Sequence, residues 1–157
     1  IKAIMVPLGV KSTYTGRGYL LTKIPAQASL AWDFTDCPDL AQTICVIAAV
    51  KDIPLTLTGL ESLKVKETDR VLALQNELKK IGAALVEKEA NHLYEVTGNF
   101  AAVSAIEPIE TYDDHRMAMA FAPVAMQKEI TLLDPSVVNK SYPSFWKHVS
   151  ILLTSTL

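Results

Sequence analysis

Leu55-Thr56-Leu57-Thr58-Gly59 opens the stretch that decides the fold. Apolar and polar residues alternate through Leu55–Thr58, the two-residue period of a half-buried strand, and Gly59 closes it. After a turn come Val65 and Lys66. A helix is predicted from near Lys66 or Glu67, with Val71, Leu74, Leu78 and Ile81 on its apolar face. The same succession returns downstream: Thr131-Leu132, a turn, Val138 and Lys140, then a helix predicted over Pro143–Leu152. The two Thr-to-Lys separations differ by one residue. Units that each run strand, turn, lysine, helix point to structural duplication.

Working outward, Ser29–Phe34 reads as a strand. Thr35-Asp36-Cys37-Pro38-Asp39 is a helix-start signal, with Asp36 as cap and Pro38 and Asp39 in the first turn. That helix runs to about Val50 and is apolar nearly all round, so it is expected to be largely buried. Gly82 is the natural stop for the helix that begins near Lys66. Ala84–Lys88 and Leu93–Thr97 read as strands joined at Glu89–His92, with Asn91 the tight-turn residue. A further helix starts at Asp113 or Asp114, with Met117, Ala120, Phe121 and Val124 on its apolar face. Pro123 lies inside it and costs a hydrogen bond. Ile130–Leu133 reads as a strand, with Asp134-Pro135 turning out of it. Residues 1–27 are the least informative. No linker or low-complexity stretch divides the chain, so 1–157 is expected to be a single domain.

Half of the 157 residues are hydrophobic, and 15 Lys and Arg face 17 Asp and Glu, a formal charge of −2. Such a chain can bury a core, and it is neither disordered nor collagen-like in composition. It lacks the basic footprint of a general nucleic-acid binder. No stretch approaches the ~20 apolar residues of a membrane span, and no signal peptide is expected. Cys37 and Cys45 match neither a disulfide framework nor a zinc pattern; they read as small buried residues in a reducing, cytoplasmic compartment. The chain opens on Ile1 rather than Met. It is therefore expected to be cut from a longer protein.

Most charged residues are solvated faces. The helix starts differ. Asp39 falls in one first turn, Lys66, Glu67 and Arg70 in another; His115 and Arg116 open a third, and Lys140 precedes a fourth. Cations are disfavoured at a helix N-terminus, which already carries partial positive charge. Placing Lys66, Arg70 and Arg116 there makes sense if an anion binds at that end. Lys66 and Arg70, four apart, would share a helix face, as would Glu67 and Arg70, three apart. Taken singly, each cluster also reads as an ion pair or a cap. Converged, they form a cationic pocket with two carboxylates, suited to a phosphorylated, carboxylated substrate and acid–base chemistry.

Leu63-Lys64-Val65-Lys66-Glu67-Thr68-Asp69-Arg70 and Tyr112-Asp113-Asp114-His115-Arg116-Met117-Ala118-Met119-Ala120-Phe121 resemble the two signature segments of the 5-enolpyruvylshikimate-3-phosphate synthase family. Pro38-Asp39 before an apolar helix and Val137-Val138-Asn139-Lys140-Ser141-Tyr142-Pro143 fit in the same order, and the resemblance spans about residues 30–150. It implies an α+β fold of βαβαββ repeat units, in two similar domains with the active site in the cleft between them. The chain would be the incomplete C-terminal domain. The implied reaction joins the enolpyruvyl group of phosphoenolpyruvate to the 5-hydroxyl of shikimate 3-phosphate and releases phosphate. It uses no organic cofactor and no metal. By motif, Asp39 would contact the shikimate hydroxyls and act as base for the 5-hydroxyl, and Lys66 would touch shikimate phosphate. Glu67 would protonate the methylene of phosphoenolpyruvate and later remove a proton. Arg70, Arg116 and Lys140 would hold the phosphate and carboxylate of phosphoenolpyruvate. His115 would sit beside Glu67 and tune it. Ser62 departs from the family's usual asparagine. The groups supplied by the other domain are absent, so the chain alone is expected to fold or nearly so but not to turn over. Competing readings are a UDP-sugar enolpyruvyl transferase, a non-catalytic anion-binding module and RNA-end processing on a related fold.

Overall fold

The computed structural model describes residues 1–66 and 69–154. A short helix, α1 (Lys2–Met5), leads into an antiparallel hairpin of β1 (Val10–Tyr14) and β2 (Tyr19–Lys23). Next come β3 (Leu30–Asp33), α2 (Ala41–Val50), β4 (Leu55–Thr58), α3 (Arg70–Lys80), β5 (Ala83–Glu89) and β6 (Leu93–Gly98). This is one complete βαβαββ unit, with strands in the order β3-β4-β6-β5. Only β3 and β4 run parallel, with Leu30 opposite Leu55 and Trp32 opposite Leu57. A parallel pair needs a crossover between its ends, and α2 supplies it.

The alternation in Leu55–Thr58 has its structural counterpart: Leu55 and Leu57 are buried, Thr56 and Thr58 half-buried. They face a core that includes Phe34, Ile44, Leu74, Tyr94 and Phe121. Helix α2 packs on α4 (His115–Phe121), and no α2 residue through Val50 is exposed. The repeat read from Thr56 and Thr131 is present as well. Ile109 and Leu132 form a parallel bridge across α4, as β3 and β4 do across α2. A 3-10 turn follows each second strand position, Glu61–Val65 and Pro135–Lys140, and then α3 or α5 (Phe145–Thr154).

Several boundaries shift. Ile130–Leu133 is not a strand: beyond the Leu132 bridge it has no ladder, because Ile109 alone stands opposite. Asp36 does not cap α2; Pro38–Leu40 is a 3-10 turn beginning after Cys37, without a side-chain cap bond. Helix α3 starts at Arg70, not near Lys66, because Asp69 is the cap, accepting from the Leu72 N–H at 3.0 Å. Helix α4 is shorter than expected: it stops at Phe121, and Val124 falls in the 3-10 turn Ala122–Met126, with Pro123 at its start. Asn91 takes a positive φ in the β5–β6 turn, and Gly82 does so just after α3. Cys45 is fully buried, which pushes its thiol pKa up, whereas Cys37 is only half-buried. Among the described residues no helix is long and apolar enough to cross a membrane.

Gly59 lets the end of β4 pass the exit of β3. Its φ is +77°, and a β-carbon there would lie 2.2 Å from the Thr35 nitrogen and 2.7 Å from Asp33 Oδ1. That aspartate oxygen accepts from the Thr35 N–H at 3.0 Å and from the Thr35 hydroxyl at 2.7 Å, shaping the loop that leads to Asp39. Gly59→Ala adds left-handed strain to a backbone clash. It is expected to destabilise the fold by about 2 kcal/mol or more, read from urea unfolding.

Candidate active site

The site lies where the 3-10 turn ahead of α2 meets the N-termini of α3 and α4. The 3-10 turn Pro38–Leu40 carries Asp39. Arg70 is the first residue of α3, and its side chain is 6% exposed. Asp114 caps α4, its Oδ1 accepting from the Arg116 N–H at 2.9 Å.

These side chains form one continuous network. Arg70 Nη1 donates to Asp39 Oδ1 at 3.2 Å, and Arg70 Nε pairs with Asp114 Oδ2 at 2.7 Å. Arg116 Nη2 pairs with the other Asp39 oxygen, Oδ2, at 2.8 Å. His115 Nδ1 stands 3.9 Å from Asp114 Oδ1. Asp39 thus lies across two guanidiniums, with its side chain 43% exposed. The cations at these helix starts are matched by carboxylates of the chain itself, which offsets the electrostatic cost of placing them there.

A cavity of about 280 Å³ opens beside Asp39, lined by His115, Arg116, Ser141 and Tyr142 among others. A groove of about 310 Å³ between Ala122 and Trp146 is mainly apolar and has neither acid nor base in its lining. The cavity beside Asp39 is the candidate, because the paired Asp39 and Arg116 and the neighbouring His115 line it together. Gln42, buried on α2, reaches Asp114 Oδ2 at 3.5 Å. Its Oε1 and Arg116 Nε are buried and have no hydrogen-bond partner among the described residues.

Of the site residues read from the sequence, Asp39, Arg70, His115 and Arg116 come together. Lys140 stands at the rim: its Nζ donates to the Asp113 carbonyl at 3.1 Å, and the next residues, Ser141 and Tyr142, line the cavity. Lys66 follows the 3-10 turn Glu61–Val65 in extended backbone, exposed. It shares no helix face with Arg70, so the four-residue spacing argument fails for this pair. Glu67 lies outside the described residues. Sequence reasoning missed Asp114 as a site residue. Asp113-Asp114 before an apolar run signals a cap, and Asp114 is one; its grip on Arg70 is a tertiary fact. Gln42 carried no signal at all. No group of three or more His, Cys, Asp and Glu that could hold a metal ion occurs among the described residues.

The EPSP synthase family (3-phosphoshikimate 1-carboxyvinyltransferase) matches residues 1–149. The chain belongs to this family. Relatives named 3-phosphoshikimate 1-carboxyvinyltransferase include one from Bacteroides fragilis, 45% identical over 91% of the chain and 35% of the relative. Another, from Methanospirillum hungatei, is 32% identical over 93% of the chain and 34% of the relative. The chain therefore spans about a third of the length of these relatives. The solved EPSP synthase from Acinetobacter baumannii superposes with a TM-score of 0.69 at 21% identity, covering 96% of the chain and 38% of that structure. The fold is that of EPSP synthase, in βαβαββ units of which this chain holds one complete and part of another.

Asp114→Ala removes both the α4 cap and the partner of a buried guanidinium. It is expected to cost roughly 3–5 kcal/mol in urea unfolding, the range for breaking a buried pair. Asp114→Asn keeps a capping oxygen and is expected to cost clearly less.

Proposed function

We propose that the protein to which this chain contributes about a third transfers the enolpyruvyl group of phosphoenolpyruvate to the 5-hydroxyl of shikimate 3-phosphate, with release of phosphate. The chain would be the C-terminal part of a two-domain enzyme of the shikimate pathway. The observation that carries the reading is Asp39, a half-exposed carboxylate spanning Arg70 and Arg116 in the lining of a cavity shared with His115.

The arrangement suits the chemistry. Asp39 is assigned by its motif to accept the proton of the 5-hydroxyl, and its partly exposed carboxylate lines the cavity that the hydroxyl would enter. An incoming phosphate or carboxylate can take hydrogen bonds from the same two arginines, a geometry that arginine favours for both groups. Lys140 at the rim adds a third cation; Lys66 is assigned to the phosphate of shikimate 3-phosphate by its motif alone.

The reaction needs three proton transfers: the 5-hydroxyl loses one, and two more take place at the methylene carbon. As the 5-hydroxyl oxygen adds to C2 of phosphoenolpyruvate, the methylene carbon takes a proton; as phosphate leaves, the new methyl carbon gives one back. Glu67 is assigned both by its motif, and His115 is assigned to tune it. Two acids at separate positions meet the need for a base at the hydroxyl and an acid at the methylene. The charge of the phosphate oxygens and the carboxylate is stabilised by groups already fixed in place.

The test is phosphate release from shikimate 3-phosphate and phosphoenolpyruvate, with this chain mixed with a separately made N-terminal portion of the same protein. Turnover is expected only with both pieces and is expected to vanish with Glu67→Gln, with substrate binding nearly intact. Silence from two pieces shown to be folded and associated would reject the assignment in favour of another acceptor or a binding role.

A further inference from the structure

Tyr112 and Asp113 both lie in the left-handed backbone region, at φ +54° and +52°, immediately before the Asp114 cap. A β-carbon disfavours that conformation, and a tyrosine has no short polar side chain to relieve it locally. The turn is gripped from outside. Lys140 holds the Asp113 carbonyl and Arg70 holds Asp114. The remaining grip is Glu77 of α3, whose side chain is only 1% exposed. Its Oε2 accepts from the Glu110 N–H at 3.0 Å, and its Oε1 accepts from the Tyr112 hydroxyl at 2.9 Å. Lys80 Nζ, 2.7 Å from Oε2, balances the charge. Burial and the adjoining carboxylate push the Tyr112 phenol up, so it keeps the proton it donates.

No step of the proposed reaction uses Glu77. It stands seven residues after Arg70, two helical turns along the same face of α3. One helix face therefore grips the segment 110–114 at both ends.

We propose that Glu77 is a positioning residue. Through the Tyr112 hydroxyl and the Glu110 amide it holds the left-handed Tyr112-Asp113 turn, and so aims Asp114 and Arg116 at Arg70 and Asp39. Its effect on turnover rests on the function proposed above; its effect on the turn does not.

The test uses the full 157-residue chain, isotopically labelled. Three-bond HN–Hα couplings and Cα shifts of Tyr112 and Asp113 report the left-handed turn, and the Arg116 amide shift reports the cap. Glu77→Gln, which can still accept from Glu110 and donate to the tyrosine oxygen, is expected to keep all three signatures. Tyr112→Phe and Glu77→Leu are expected to lose them. Adding Asp113→Gly to Tyr112→Phe is expected to restore the Arg116 amide shift, because glycine holds a positive φ unaided. In the two-piece assay, Tyr112→Phe is expected to raise the KM for phosphoenolpyruvate about tenfold, the scale of one weakened charged contact.

Unchanged signatures in both Tyr112→Phe and Glu77→Leu, with only a loss of stability, would overturn the proposal and leave Glu77 a packing contact. If Glu77→Leu does not fold, Tyr112→Phe decides alone. A wild-type pair silent in turnover, with the turn still answering to Tyr112, supports the positioning role and overturns only the reaction.

Discussion

Everything in the site depends on the Arg70 guanidinium. It is buried, so its charge must be matched inside the fold or α3 cannot dock. The match comes from two places far apart in sequence: Asp39 ahead of α2 and Asp114 at the head of α4. One cation therefore fixes three helix N-termini relative to one another. Asp39 is then shared with Arg116, which gives the cavity both its charge and its shape. Arginine suits such a junction because its planar fork presents several donors at set angles and does not lose its proton.

Because Asp39 precedes the crossover helix of one repeat and Asp114 caps that of the other, the site is also a seam. The complete unit contributes Asp39 and Arg70; the partial unit contributes Asp114, His115 and Arg116. The parallel bridge of Ile109 with Leu132 is short, yet it sets the partial unit's crossover helix against α2 in the manner of β3 and β4. Duplication supplied two similar helix starts, and the salt-bridge network joins them.

The architecture was legible where local chemistry and tertiary environment agree. The alternation of Leu55–Thr58 follows from its apolar period, and the stop at Gly82 and the turn at Asn91 each follow from one residue's backbone preference. It was not legible where two local signals compete. Lys66 and Asp69 both sit before an amphipathic run, and the capping bond of Asp69 wins, moving α3 forward and taking Lys66 off its face. Asp36 likewise yields to the Pro38 turn. Of the site, Asp39, Arg70, His115 and Arg116 stood out as charges in unexpected places. Asp114 looked like an ordinary cap, and Gln42 and Glu77 like ordinary helix residues, because their roles exist only once α2, α3 and the segment leading into α4 come together.

The hairpin of β1 and β2 stands apart from this network. Tyr14, Tyr19, Leu20 and Leu21 are all more than half exposed, and the two strands pair only with each other. Strands β4 and β6, by contrast, each have a neighbour on both sides. Amide protons on β4 and β6 should exchange with solvent only when the whole unit opens, whereas those of the hairpin can exchange by local opening. For this chain the expected protection is therefore graded, lowest in the hairpin and highest in the sheet behind the helix starts that hold the site.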